Sequence, residues 1–242
     1  MKAFSEEQVE IGISDLAKRL GVAKSTVHRL AVTLVADGML EQNPDSGKYR
    51  LGIALFRLGS LVRRRMTMSN EARPLLRDLR EKVNETVHLA VLDGAEIMYV
   101  FNLESTQAIR MRSDVGVRKP AYCTAEGQVL LAYQTLEAIE RVVSHGLPAR
   151  TPQTVTDAQA LKKVLEGIRA RGCAIEDEES ELGMRCIAAP LYNDAGEVVA
   201  AVGLAGPVSR LSKKALSTYI PHVIETAAAI SARLGHRVRA AG

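Results

Sequence analysis

Residues 13–51 read ISDLAKRLGVAKSTVHRLAVTLVADGMLEQNPDSGKYRL, and their spacing decides how the chain begins. Ile13, Leu16, Ala17 and Leu20 recur at i, i+3, i+4 and i+7, the stripe of one short helix that the spacing opens near Ser14 or Asp15. Gly21 breaks it. Val27, Leu30, Ala31 and Leu34 repeat the stripe, while Lys24, Ser25, Thr26, His28, Arg29 and Thr33 fall on the opposite face. Two short helices about a glycine, the second with hydroxyls and bases outward, predict a helix-turn-helix. Met39–Gln42 and Lys48–Leu51 follow as strand candidates around the turn formers Asn43-Pro44-Asp45-Ser46-Gly47, which makes the module a winged helix.

Charge supports that reading. Residues 1–67 carry 11 Lys/Arg against 7 Asp/Glu, whereas residues 68–242 carry 21 of each. All of the net +4 therefore sits on the segment with the helix pair, where phosphates would need it. Lys24, Ser25 and Thr26 open the second helix, where N–H groups and hydroxyls suit phosphate. His28 and Arg29 come one turn later, and Arg29 is placed to fork onto guanine. Lys48 and Arg50 are wing candidates for the DNA backbone or minor groove.

The remaining composition is that of an ordinary globular protein, 47% hydrophobic and 25% charged. No apolar run approaches the roughly 18 residues of a membrane span, and MKAFSEEQVE lacks a signal-peptide core, so the expected compartment is the cytoplasm, with no membrane partner. Cys123, Cys173 and Cys186 are odd in number and widely spaced, which predicts free thiols.

Beyond the wing, Ile53 to about Met66 predicts a linker helix ending in Arg63-Arg64-Arg65, with a boundary in the polar Thr67–Asn70. Ala72–Val83 reads as a helix with Pro74 in its first turn. Thr86–Leu92 and Ile97–Leu103 read as a hairpin across Asp93-Gly94-Ala95-Glu96, and Ile109–Arg112 as a third strand. Thr124–Tyr133 and Leu136–Ser144 are helical. Thr156-x-x-Gln159 is a capping box for a helix running to Arg171 and stopped by Gly172. Ala174–Asp177 and Arg185–Ala189 frame an acidic loop, with Arg185 as its ion-pair partner. Leu191–Tyr192 and Glu197–Leu204 form a hairpin, and Ser212–Leu234 a long last helix containing Pro221. Hairpins among separated helices predict an antiparallel α+β domain.

Seven stretches in order resemble the IclR-type bacterial transcription regulators: ISDLAKRLGVAKSTVHRLAVTL, GKYRLGIALFRLG, EARPLLRDL, ETVHLAVLDG, VGVRKPAYCTAEGQVLLA, IRARGCAIEDEESELGMRCIAAPLYNDAGEVVAAVGLAGP and ISARLG. The resemblance implies a winged helix-turn-helix over residues 1–52, a linker helix over 53–68 and a GAF-like effector-binding domain over 69–242. It implies dimers or dimers of dimers on palindromic double-stranded operator DNA, with activators and repressors both in the family. Family members carry further residues ahead of the segment matching MKAFSEEQ, so the first helix is expected to be truncated. For the effector, the resemblance implies backbone N–H groups at Ala125 and Glu126 for a ligand carboxylate. Ala108, Met111, Glu176, Met184, Cys186, Gly203 and Ala205 match the same pocket. Gly203 and Ala205 are small where some relatives have hydroxyls, and Glu176 replaces an aspartate. The expected effector is a small organic acid, with aromatic acids favoured by the free volume.

Other readings compete. An enzyme would use Cys186 or Thr124 as nucleophile with a histidine, yet no G-x-S-x-G elbow or glycine-rich phosphate loop is present. A purely structural DNA-binding protein would not need the large neutral remainder. No catalytic residue, cofactor or metal site is expected: the cysteines and His88 and His145 lack ligand spacing. Cys186 is expected to be packing or pocket lining, and His88 a satisfied structural histidine.

Overall fold

The computed structural model describes residues 3–4, 8–65 and 67–237. It divides into two compact units, Met1–Met66 and Thr67–Gly242.

In the first unit, α1 spans Ile13–Leu20 and α2 Lys24–Ala36. Gly21 caps α1 in the left-handed region at φ 66°, a conformation glycine adopts without steric cost. The cap at the other end is Gly12 rather than Ser14 or Asp15. Strands β1 (Leu40–Gln42) and β2 (Tyr49–Leu51) form the wing, and Asn43 Oδ1 organises its turn by accepting the Asp45 N–H at 2.9 Å. Ile11 bridges to Tyr49, a pairing absent from the sequence reading. Ile11, Leu16, Ala17, Val27, Ala31, Leu40 and Tyr49 make the core. Leu20 and Leu30, assigned to the apolar stripes, are instead about half exposed, at 52% and 53%. The expected stub of a first helix lies partly outside the described residues. Helix α3 spans Ile53–Arg65; the side chains of Arg63, Arg64 and Arg65 lie outside the described residues.

The second unit begins with α4, Thr67–Val83. The helix starts earlier than its pattern suggests, so Thr67–Asn70 is its first turn and Pro74 lies in its interior. A six-stranded antiparallel sheet follows, in the order β5-β4-β3-β8-β7-β6. Its strands are β3 Thr86–Asp93, β4 Glu96–Leu103, β5 Arg118–Pro120, β6 Ala174–Asp177, β7 Met184–Tyr192 and β8 Val198–Pro207. Ile109–Arg112 is not a strand. The edge of β4 is already taken, since Tyr99 donates its N–H to Val117 and accepts that of Gly116. Strand β7 runs unbroken through Pro190, which the sequence split into two pieces. Pro190 pairs with Ala201 of β8 but lies past Ala188, the last β7 residue paired with β6. Its missing N–H therefore removes no ladder bond to β6.

Alternation sorts the sheet into two faces. Val87, Leu89, Ile187, Ala189, Leu191, Val202 and Leu204 pack against α4 and the last helix, α8 (Lys213–Arg233). Ala90, Cys186, Ala188, Ala201 and Ala205 face α5 (Ala125–Ala132), α6 (Leu136–Ser144) and α7 (Ala158–Arg171). The small residues on this second face let α5 lie close, and all eight of its residues are buried. Gly127 makes the approach possible: a Cβ there would stand 2.3 Å from the Ala121 carbonyl oxygen. Helix α7 is capped by Asp157, whose Oδ2 accepts the Ala160 N–H at 2.7 Å, rather than by the Thr156 capping box. Among the described residues no helix is long and apolar enough to cross a membrane.

Candidate functional site

Two regions carry the candidate residues. On α2, Lys24, Ser25, His28 and Arg29 are exposed and Thr26 half-buried at the N-terminal end, with Val27 and Ala31 turned inward. No ion pair involves Lys24 or Arg29 among the described residues. Lys48 is exposed at the wing turn. Arg50 is engaged: its guanidinium lies 3.0 Å from Glu41 across the hairpin and 3.8 Å from Glu10. Of the two wing cations, Lys48 is the unpaired one among the described residues.

The second region is a small cavity of about 20 Å³ at the N-terminal end of α5. Met111, Glu126, Glu176, Met184 and Cys186 line it together with Thr124 and with Tyr99, Lys119, Ser180 and Glu181, the last four of which were not predicted as pocket residues. Ala125 is buried in the same turn without lining the space. Gly203 and Ala205 lie beneath, on β8, paired with His88 and Thr86 of β3. Ala108 is exposed on the loop between β4 and β5, and the structure does not bring it to the cavity. That loop is anchored nearby. Thr86 donates its hydroxyl to the Met111 carbonyl at 2.8 Å, and Arg210 joins the buried Glu85 carboxylate to the Ile109 carbonyl at 2.8 Å each.

Helix α5 meets the cavity uncapped. Thr124 is its N-cap residue, but its hydroxyl donates to the Pro120 carbonyl at 2.9 Å instead of accepting from the helix. A buried helix N-terminus without a side-chain cap leaves N–H donors for something else to satisfy.

The carboxyl groups are held in different ways. Glu176 Oε1 accepts the N–H groups of Glu179 and, at 3.0 Å, Ser180. Burial nevertheless pushes its pKa up to about 7, against the opposing effect of those N–H groups and the Cys186 thiol. Glu126 is 2% exposed, and its Oε1 has no hydrogen-bond partner among the described residues. It stands 3.3 Å from His88 Nδ1, out of hydrogen-bonding alignment. Its carboxyl fills the space above Gly203, where a Cβ would meet Glu126 Oε1 at 1.9 Å. The free volume expected over Gly203 is thus occupied.

His88 is not the satisfied histidine the sequence suggested. Neither ring nitrogen has a hydrogen-bond partner among the described residues, and the ring lies against Tyr99 with centroids 4.7 Å apart. Burial, with Glu126 next in importance, pushes the Tyr99 phenol well above its ordinary value. The acidic run is tied down: Glu179 accepts from Gln128 Nε2 at 3.1 Å, and Arg185, its expected ion-pair partner, meets Asp177 at 2.9 Å through Nε. Burial first, then Glu176, pushes the Cys186 thiol far up, so it is a poor nucleophile at neutral pH. The other nucleophile candidate, Thr124, has its hydroxyl committed to Pro120. All three cysteines are free and buried.

One signal for the missed Glu126 side chain was present in the sequence. AEGQVLLA is a helix of small and apolar residues interrupted by one acid and one amide. Tyr99 and Lys119 gave no comparable sign, because strand pairing between distant segments brings them to the cavity.

Comparisons with known proteins agree with this architecture. The model for the bacterial transcriptional regulator IclR C-terminal domain matches residues 61–232, and that for the IclR helix-turn-helix domain matches residues 1–44. The chain is 35% identical to the HTH-type transcriptional regulator KdgR of Escherichia coli over 237 residues, covering 98% of this chain and 90% of that protein. It is 38% identical to the regulator BhcR of Paracoccus denitrificans, over 90% of this chain and 79% of the relative. Among solved structures, Thermotoga maritima IclR matches with a TM-score of 0.72 at 31% identity, covering 94% of this chain and 92% of that one. An IclR homologue from Microbacterium hydrocarbonoxydans, solved with 4-hydroxybenzoate, matches with a TM-score of 0.80 at 29% identity, covering 96% and 95%.

Proposed function

Because this chain belongs to the IclR family of bacterial transcription regulators, we propose that it binds operator DNA through α2 and the wing under the control of a small organic acid held beside α5. The observation that carries the effector reading is the buried, uncapped N-terminus of α5, which meets a cavity lined also by Lys119. Backbone N–H groups at a helix start and one ammonium form a receptor for a carboxylate. A homologue solved with an aromatic acid, 4-hydroxybenzoate, supports the same class of ligand.

The cavity of about 20 Å³ holds roughly one water, far below the few hundred Å³ of a typical ligand pocket. An effector therefore selects a more open arrangement of the loop carrying Met111 and of the Glu176–Met184 turn. Such a ligand controls DNA binding only through unequal affinity for two arrangements of the protein.

On the DNA side, Lys24, Ser25 and Thr26 hold phosphates, His28 and Arg29 reach base edges, and Lys48 touches the backbone beside the wing. Arg50 serves the hairpin first, through Glu41. The chain acts as a dimer or a dimer of dimers. Its operator is a pseudo-palindrome with half-sites about one turn, roughly 34 Å, apart. No catalytic step is assigned.

Selection of bound fragments from bacterial genomic DNA, followed by mobility-shift titration with and without a panel of carboxylates, tests the reading. A shared pseudo-palindrome whose affinity changes with an acid is the expected result. Absence of any enriched sequence would overturn sequence-specific DNA binding, and response only to neutral or cationic compounds would overturn the organic-acid effector.

A further inference from the structure

The carboxylate-binding end of the cavity does not account for Glu126. This side chain is 2% exposed, lines the cavity, and holds an oxygen without a hydrogen-bond partner among the described residues. The lone pairs of a carboxyl oxygen accept hydrogen bonds, so the partner that Oε1 lacks is a donor. Leaving such an acceptor buried and unpaired is costly, and the cost is recovered when a donor reaches it. The nearest protein candidate, His88 Nδ1, is 3.3 Å away but misaligned.

Its position is built into the fold. Glu126 belongs to the first turn of α5 and its carboxyl lies over Gly203, which has no side chain to compete for that space. Tyr99 and Cys186 flank the same cavity. Of the three carboxyl groups on its wall, Glu176 already accepts two backbone N–H groups and Glu181 is exposed, so Glu126 is the one buried without a partner among the described residues. A ligand carrying only a carboxylate and hydrocarbon leaves the Glu126 acceptor unsatisfied.

We propose that Glu126 reads a hydrogen-bond donor on the effector, so that the ligand is a carboxylic acid bearing a hydroxyl or ammonium group. Its carboxylate lies at the start of α5 and Lys119, and its donor meets the Glu126 carboxyl over Gly203. The inference rests on the organic-acid reading above and narrows it from any small acid to donor-bearing ones. A site built to pair a donor rejects the analogue that lacks it, because its own buried group is then left unpaired.

The test is calorimetry on the full chain with matched sets of acids, each an unsubstituted acid beside its hydroxy and amino-bearing counterparts; hexanoate, 6-hydroxyhexanoate and 6-aminohexanoate form one set, and benzoate, 4-hydroxybenzoate and 4-(aminomethyl)benzoate another. The expected result is a donor-bearing acid bound at least about tenfold more tightly than its unsubstituted counterpart, a difference of about 1.4 kcal/mol. Glu126→Ala should collapse that preference while leaving the unsubstituted acid's affinity the same or higher. Glu126→Gln separates the two donors: it keeps an acceptor oxygen and so retains a hydroxyl preference, but loses the charge that an ammonium needs. Equal binding of substituted and unsubstituted acids, or a preference that survives Glu126→Ala, overturns the inference while the organic-acid reading stands. Failure of every acid beside binding of a neutral or cationic compound overturns both. The preference ratio is the readout that separates recognition from stability, since a merely structural Glu126 would shift all the acids together.

Discussion

The α2 face and the α5 cavity both present polar groups without partners among the described residues, yet the two cases mean different things. On α2, Lys24, Ser25, His28 and Arg29 stand in solvent, where water satisfies them at no cost. At the cavity Glu126, and beside it His88, lack hydrogen-bond partners among the described residues and are buried, at 2% and 0% exposure, where the same condition is expensive. A surface cation without an ion pair is ordinary, and only its company on a helix of the right class gives it meaning. A buried acceptor without a donor is unusual by itself. The first site is recognised by pattern, the second by an unpaid hydrogen bond.

This contrast predicts opposite responses to small substitutions. Gly127→Ala forces a methyl to 2.3 Å from the Ala121 carbonyl, a backbone atom that cannot swing aside. It should cost about 3 kcal/mol of stability, read as a lowered urea midpoint for the second unit. Ser25→Ala should leave stability within about 0.5 kcal/mol, as exposed positions do. The next largest effect concerns the DNA face. Arg29→Ala should weaken operator binding about thirtyfold, or roughly 2 kcal/mol, and relax preference at the base pair it contacts. An equal loss on every sequence would make Arg29 a phosphate contact instead.

How far the sequence carries differs between these regions for physical reasons. The helix pair is local: Gly21, and the apolar residues three and four positions apart, specify it without distant partners. Leu20 and Leu30 were misjudged because periodicity marks a face but not how far the core extends across it. The hairpin at Gly94 was legible because its turn chemistry lies within a few residues; Gly94 adopts φ 68°. Ile109–Arg112 looked like a strand because its composition suits one, but residues 116–120 already occupy the edge of β4. Alternation along β7 and β8 puts Cys186, Gly203 and Ala205 on one face, which the family resemblance had already grouped. The contribution of Tyr99 and Lys119, and the turning of Glu126 toward Gly203, depend on packing between segments remote in sequence. His88 illustrates the limit. Burial was predictable from its neighbours Val87 and Leu89, but whether its nitrogens would find partners was not.

The cavity should also respond to pH. Burial raises the Glu176 pKa to about 7, so the group is largely neutral below that value and charged above it. The neutral form tolerates an incoming carboxylate, whereas the charged form repels it. Effector affinity should therefore be level below pH 7 and fall by up to about tenfold per unit above it, as binding comes to require uptake of one proton. Glu176→Gln should flatten the profile. Persistence of the same slope in that variant would move the titrating group elsewhere. The raised folded-state value also has a sign for stability: the folded chain holds this proton between the ordinary carboxylate range and pH 7. Its contribution is thus greatest at the acid end of that interval and is lost as pH rises through about 7.

The smallest expected effect separates the roles within α2 itself. Lys24 stands in the first turn of the helix, where a cation meets phosphate rather than base edges. Neutralising one phosphate contact changes binding by counterion release, so Lys24→Ala should reduce the slope of log affinity against log salt by about one for each subunit bound. The loss should be similar on specific and unrelated DNA, in contrast to Arg29→Ala. Lys48→Ala should behave like Lys24→Ala if the wing follows the backbone. Arg50→Ala should change the slope less than either, because its guanidinium is already neutralised by Glu41. A salt slope that falls with Arg50→Ala as much as with Lys48→Ala would mean that DNA draws Arg50 away from Glu41, and the wing would then carry two phosphate contacts rather than one.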